Sequence, residues 1–133
     1  MIRTIFVLLV LLSPVLAYAE LVYLDCKVSS DKEQKKFSVK LDENSGKITH
    51  TRENGSAFNA EGFFAANTIT YQNISITSGI KITYKYEIDR TDLSVGEVFV
   101  VEPSNPEYAM KIPAKTTKMN GACRLVEVKK RKI

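Results

Sequence analysis

Apolar and polar residues alternate along most of the chain after residue 20, and the clearest run covers residues 80–89. A period of two is typical of a β-strand with one face in the core and the other in water. The predicted inward residues of this run are Ile80, Ile82, Tyr84, Tyr86 and Ile88. The predicted solvent-facing residues are Lys81, Thr83, Lys85 and Glu87.

Turn-forming residues interrupt this alternation at short intervals and divide the chain into about eight or nine predicted strands. These strands cover residues 21–29, 35–41, 47–52, 56–63, 68–76, 80–90, 95–102, 108–112 and 122–128. The pair Asn54-Gly55 tolerates positive φ at both central positions of a type I′ turn, which predicts a tight hairpin there. Short strands joined by hairpins predict an all-β fold, either a sandwich or a barrel.

Two segments depart from the simple pattern. In residues 68–77 the apolar positions change from odd to even near Asn73, which predicts a bulge or a break in that strand. For the predicted strand at 56–63, a helical turn within residues 57–66 is the alternative.

The first nineteen residues have the pattern of a cleavable signal peptide. Arg3 precedes an uncharged apolar run at residues 5–12, and Ala17-Tyr18-Ala19 places small residues at the −3 and −1 positions of a cleavage site. An uncleaved anchor is the alternative, but the run is shorter than the ~20 residues that span a bilayer. We expect cleavage after Ala19, a periplasmic or secreted product, and no transmembrane segment in that product.

The mature chain is expected to form a single domain, residues 20–128, followed by a basic tail at 129–133. Four charges of that tail are carried by Lys129, Lys130, Arg131 and Lys132, in a chain of net charge +4. A solvated tail is favoured over an arm that makes weak contact with an anionic surface. Basic residues are rarely interleaved with aromatic ones, which argues against nucleic-acid binding.

The chain contains two cysteines, Cys26 and Cys123. In an oxidising compartment they are expected to pair, linking the first strand to the last. Cys26 shares its strand face with the apolar residues Val22, Leu24 and Val28, so its side chain is predicted to point inward.

Motifs of catalysis are missing from the sequence. His50 is the single histidine. Zinc and copper sites usually need a second His or a free Cys as a further ligand, and the chain offers neither. His50 is therefore interpreted as a surface side chain. There is no nucleophile elbow and no glycine-rich phosphate loop. We therefore predict no catalytic residue, cofactor or metal, and a protein that is not an enzyme.

Several short pieces of sequence resemble a pattern found in small exported proteins of bacteria and their phages. They are residues 37–43, 46–48, 64–71, 86–91 and 121–123, together with the signal peptide. The resemblance implies a small antiparallel, calycin-like β-barrel in the bacterial envelope and supplies no catalytic residues. Thr91-Asp92-Leu93 stands where the pattern has Thr-Gly, which implies a turn of different shape.

The favoured function is a binding module for a protein partner, such as an inhibitor or an immunity or exclusion factor. A carrier of a small apolar ligand is the first alternative, although bulky inward residues argue for a filled interior, and an enzyme is the second. Binding residues are expected on loops at one end of the barrel. The candidates are Asn54, Arg90, Asp92, Asn105, Glu107 and Tyr108.

Overall fold

A computed structural model describes residues 21–108 and 113–126, which form nine strands and one short 3-10 helix. The predicted signal peptide and basic tail lie outside these residues. The strands are β1 (Val22–Ser29), β2 (Gln34–Asp42), β3 (Lys47–Arg52), β4 (Ala57–Glu61), β5 (Phe63–Phe64), β6 (Thr68–Thr77), β7 (Ile80–Asp89), β8 (Ser94–Pro103) and β9 (Lys115–Leu125). The 3-10 helix is Pro106–Tyr108.

All nine strands belong to one antiparallel sheet in the order β4-β3-β2-β1-β9-β8-β7-β6-β5. Neighbours in this order are also neighbours along the chain, except that β1 pairs with β9. The sheet curls until β4 lies beside β6, so the barrel is nearly closed. The prediction of an all-β antiparallel barrel is confirmed.

The turns of this up-and-down barrel fall alternately at two ends. We call the end with the turns at residues 30–33, 53–55 and 78–79 the upper end, and it also carries the β8–β9 connection. The lower end has the turns at residues 43–46, 65–67 and 90–93. Each end collects loops that are distant in sequence.

Cys26 and Cys123 form a disulfide between directly opposed residues of β1 and β9, with Cα atoms 4.0 Å apart. Both residues are buried. The predicted link between the first and last strands is confirmed, as is the inward direction of Cys26.

The inward face of β7 follows the prediction in its lower half, where Tyr86 and Ile88 are buried. Ile80, Ile82 and Tyr84, in its upper half, are half-buried. Thr83 was predicted to face water, and this is wrong: it is 5% exposed. It lies between Ile74 and Val100 in the neighbouring strands, and their side chains share its face of the sheet.

The hairpin turns at 53–55 and 78–79 have different shapes. Gly55 has a φ of 89°, but Asn54 does not have positive φ. Across the turn, the Arg52 carbonyl oxygen accepts from the Gly55 N–H, and the Arg52 N–H donates to the Ser56 carbonyl oxygen. This is a three-residue loop with glycine at its left-handed position, so the predicted type I′ turn is wrong. The two-residue hairpin instead lies at 78–79, where both residues have positive φ.

Residues 57–61 and 63–64 are extended, and no helical turn occurs within residues 57–66. The predicted strand divides at Gly62, where the chain turns from β4 into β5 and the glycine N–H donates to the Gly46 carbonyl oxygen at 2.7 Å. A Cβ atom at Gly62 would overlap the side chains of Ile48 and Phe64, so a larger residue at this corner would have to displace them.

The expected bulge near Asn73 is also wrong. β6 pairs with β7 in one unbroken register from Thr68 to Thr77. The apolar residues change parity because Ile69 and Tyr71 face the core, whereas Ile74 and Ile76 lie on the outer face and are exposed.

The last two predicted strands differ from the structure as well. Tyr108 belongs to the 3-10 helix rather than to a strand, and the rest of the predicted strand at 108–112 lies outside the described residues. β9 begins at Lys115, seven positions before the predicted start at 122, because it extends to pair with the upper half of β8.

Candidate functional site

The upper half of the barrel interior is filled by aromatic rings arranged around His50. This residue is 2% exposed, so its interpretation as a surface side chain is wrong. Its ring stacks between those of Phe37 and Phe58, with centroid distances of 4.4 and 4.7 Å. Its Nδ1 atom lies 2.8 Å from the Tyr71 hydroxyl. The signal was present in the sequence, because His50 has the same strand parity as the apolar Ile48.

The environment of His50 keeps its ring neutral. Burial, with a smaller contribution from the Arg52 charge, lowers the pKa of His50 from 6.5 to about 4. Burial also raises the pKa of Tyr71 well above its ordinary value. At neutral pH the pair is therefore an uncharged hydrogen bond within the ring cluster.

A carboxylate lies beside this cluster. Glu97 of β8 is directly opposite Tyr86 and is 2% exposed. Its Oε1 atom is 3.1 Å from the Lys35 ammonium, which also lies 5.5 Å from the Tyr84 ring centroid. Burial raises the pKa of Tyr86, and the Glu97 charge and the hydrogen bond to it raise that pKa further.

A buried carboxylate is costly unless a cation and hydrogen bonds compensate it. Lys35 and Tyr86 supply that compensation for Glu97. Sequence reasoning missed Glu97, although it has the same strand parity as Val95 and Phe99 and therefore points inward with them. Its position in the alternation was the available signal.

These buried groups form the floor of an open cleft at the upper end, which we call the upper pocket. Its volume is about 310 Å³. The floor is formed by Phe37, His50, Tyr84, Tyr86 and Glu97. The rim is formed by Gln34, Lys35, Lys36, Arg52, Glu53 and Asn54. Charges of both signs therefore surround an aromatic floor.

The lower end has a smaller and mainly aliphatic cavity of about 210 Å³, which we call the lower pocket. Its apolar walls are Val22, Leu24, Leu41, Phe64, Ile69, Ile88, Leu93 and Leu125. Arg90 and Glu43 stand at its edge, joined by two hydrogen bonds of 3.1 and 3.0 Å. Leu93 adopts a φ of 61°, which L-residues rarely take, and its side chain packs against the core.

The residues predicted to bind a partner are divided between the two ends, so the expectation of one shared end is wrong. Arg90 and Asp92 belong to the lower turn at 90–93. Asn54, Asn105 and Glu107 lie at the upper end. The reason is the up-and-down topology, which sends alternate turns to opposite ends. Tyr108 ends the upper 3-10 helix, and its side chain lies outside the described part of the structure.

Several of these candidates have structural roles. The Asn54 side-chain oxygen accepts from Ser56, and the Asn105 side-chain oxygen accepts from the Glu107 N–H at 3.1 Å. Asp92 accepts from the Ser94 N–H at 2.8 Å. This bond and the hydrogen bond from the Ser94 side chain lower the pKa of Asp92. Each bond shapes a turn.

Arg90 connects three turns at the lower end. Besides its paired bonds to Glu43, its guanidinium donates to the Ala65 carbonyl oxygen at 2.9 Å. Its hydrogen-bonding capacity is thus directed to neighbouring turns. Glu107 is exposed and remains a candidate contact.

Comparison of the chain with protein-family models, curated proteins and solved structures finds no match. The resemblance to exported bacterial and phage proteins therefore stays a prediction. Within residues 21–108 and 113–126, no group of three or more His, Cys, Asp or Glu side chains could hold a metal ion. The same part of the chain contains no helix long and apolar enough to cross a membrane.

Proposed function

We propose that this chain is a non-enzymatic binding module that acts on a protein partner through the upper pocket. The observation that carries the proposal is the pocket itself, where charged side chains of both signs surround a floor of aromatic rings and the buried carboxylate of Glu97. Binding sites commonly combine apolar walls with a few convergent polar groups.

The filling of the barrel favours a protein side chain over a larger ligand that would enter the barrel. Phe37, His50, Phe58, Tyr71 and Tyr86 occupy the interior below the pocket, with ring centroids mostly 4–6 Å apart. The remaining volume of about 310 Å³ is open to solvent. Such a cleft is suited to one or two inserted side chains rather than to an enclosed lipid.

The charges at the rim define the chemistry of the partner. Lys36 and Arg52 attract an acidic group, and Glu53 attracts a basic one. The Glu97 carboxylate is already paired with Lys35, so we assign specificity to the rim rather than to the floor. Complementary rim charges mainly set specificity and association rate.

We also propose that the module works in the periplasm or outside the cell. The disulfide between Cys26 and Cys123 supports this location, because such bonds persist in oxidising compartments. The sequence pattern of residues 1–19 gives the same expectation.

The test is affinity capture from a bacterial envelope extract, with retained proteins identified by mass spectrometry. The tagged domain is compared with the charge-exchanged variant Lys36→Glu/Glu53→Lys. A matched control is Lys47→Glu/Glu61→Lys, which exchanges an exposed cross-strand pair on the side of the barrel. All three proteins have the same net charge.

We expect a partner that is retained by the wild type and by the control, and that is lost from the pocket variant. Direct titration of that partner against the three proteins then measures the affinity. Equal affinity for the pocket variant and the wild type would exclude the upper pocket as the binding site.

The lower pocket favours a second function, a carrier of a small apolar group. Its volume of about 210 Å³ is below the ~300 Å³ at which ligand pockets commonly begin, which is why we place this function second. Native mass spectrometry of the purified protein tests it. A bound apolar molecule that is lost on Leu41→Gln substitution would support the carrier. A spectrum that shows only the mass of the protein itself would oppose it.

A further inference from the structure

The upper part of β6 forms a free edge of the barrel in the described structure. β5 pairs with β6 only at Phe63↔Thr70 and Phe64↔Ile69. Above Thr70, β6 pairs with β7 on one side. β4 lies beside the other side, but no described strand is hydrogen-bonded to it. Residues 74–77 are exposed.

At even-numbered residues of β6, the backbone N–H and C=O groups point away from β7, towards the open edge of the sheet. The Thr68 carbonyl accepts from Ala65, on the side away from β7, whereas the Asn67 carbonyl accepts from Arg90 at the end of β7. Hydrogen-bonding direction alternates along a strand. The N–H and C=O groups of Ile74 and Ile76 are therefore available for another strand.

This edge lacks the features by which soluble proteins usually block edge pairing, namely charged side chains, proline and bulges. Residues 62–80 contain no charged residue and no proline. The register of β6 is unbroken. Ile74 and Ile76 are 46% and 64% exposed on the outer face.

The sequence of the edge is nearly symmetric about Ser75. Residues 73–77 read Asn-Ile-Ser-Ile-Thr, with an isoleucine on each side of the serine and a polar residue beyond each isoleucine. A symmetric dimer requires one surface patch to complement itself. A strand that reads similarly in both directions meets that requirement when it pairs antiparallel with its own copy.

We propose that β6 pairs antiparallel with the β6 of a second copy of this chain, with the two-fold axis at Ser75. This register places Ile74 opposite Ile76 of the second copy, so four isoleucines cluster on the outer face. The backbone N–H and C=O groups of Ile74 and Ile76, which point away from β7, form the hydrogen bonds to the second copy. No charge approaches a like charge at the centre of the contact.

The dimer is expected to be weak, because a contact of a few strand residues buries less than the ~1,200 Å² of a standard stable interface. Its formation does not depend on partner recognition by the upper pocket. A second copy is preferred to a foreign strand because the near-symmetry about Ser75 has no use in an unlike pair.

Sedimentation equilibrium from micromolar to millimolar protein tests the proposal. The variant is Ile76→Lys, and the matched control is Leu125→Lys, since Leu125 is 65% exposed but lies away from this edge. We expect the wild type and the control to approach the dimer mass as concentration rises, with the dimer lost in Ile76→Lys. A wild type that stays monomeric, or equal association of both variants, would overturn the proposal.

Cross-linking then tests the register. Two serines opposite each other in a non-hydrogen-bonded pair have Cα atoms about 4.5 Å apart, within reach of a disulfide. Ser75→Cys should give a covalent dimer under mild oxidation, with the Cys26–Cys123 bond checked by peptide mapping. Ser56→Cys, at an exposed upper turn, is the control. Cross-linking that is absent from Ser75→Cys, or equal in the control, would reject the Ser75 axis.

Discussion

Acidification should destabilise this barrel well above the pH at which carboxylates protonate, and the cause should be His50. The chain has one histidine, so its titration can be assigned without ambiguity. In the folded protein the pKa of this ring is about 4, compared with 6.5 when it is exposed. The unfolded chain therefore binds a proton first as the pH falls.

The sign and size of the effect follow from this difference. The stability that the neutral His50 ring contributes is fully present above pH 6.5 and is lost as the pH falls towards 4. A difference of about 2.5 in pKa corresponds to about 3 kcal/mol in the free energy of unfolding. Between pH 7 and pH 5, about 2 kcal/mol of this should already be lost.

Urea unfolding at pH 7, 6 and 5 measures the loss in the wild type and in His50→Phe. The phenyl ring keeps the stacking between Phe37 and Phe58 but cannot titrate. The variant also loses the bond to Tyr71, a cost that is the same at every pH in this range and so leaves the slope unchanged. We expect a pH-dependent free energy of unfolding in the wild type and a flat one in the variant. Parallel curves for the two proteins would refute a buried neutral His50.

Three further predictions concern stability measured by urea unfolding. Cys26→Ser/Cys123→Ser should lower the free energy of unfolding by roughly 4 kcal/mol, since the bond spans 97 residues, and a change below 1 kcal/mol would contradict this. Gly62→Ala should cost about 1–3 kcal/mol because the new Cβ overlaps a buried isoleucine, and an unchanged midpoint would show that the corner relaxes. Lys35→Met should cost about 2 kcal/mol by leaving Glu97 buried without its cation, and restoration of stability by adding Glu97→Gln is the check.

The alternation of residue types predicted much of the barrel correctly. It placed Tyr86, Ile88 and Cys26 inside because a strand has only two faces and the apolar residues mark one of them. His50 and Glu97 were missed for the opposite reason. Both are polar types at inward positions, where residue type and parity disagree, and parity decided their direction.

Other features depend on contacts that a linear pattern does not contain. Ile74 and Ile76 suggested a slipped register, whereas the strand is regular and simply exposes them on its outer face. Thr83 is buried because Ile74 and Val100 flank it from adjacent strands. The division of Asn54 and Asp92 between opposite ends required the order of strands around the barrel.

The position of the disulfide also determines how the folded domain responds to tension. The start of β1 and the end of β9 emerge together at the lower end, so a pull on the two ends of the chain would unzip this strand pair rung by rung. Among the described residues, the Val126–Tyr23 backbone hydrogen bond and the rungs Leu24↔Leu125 and Asp25↔Arg124 precede the bond between Cys26 and Cys123. Once these contacts break, the load passes directly through the sulfur atoms. The barrel between them carries no force until the bond is reduced.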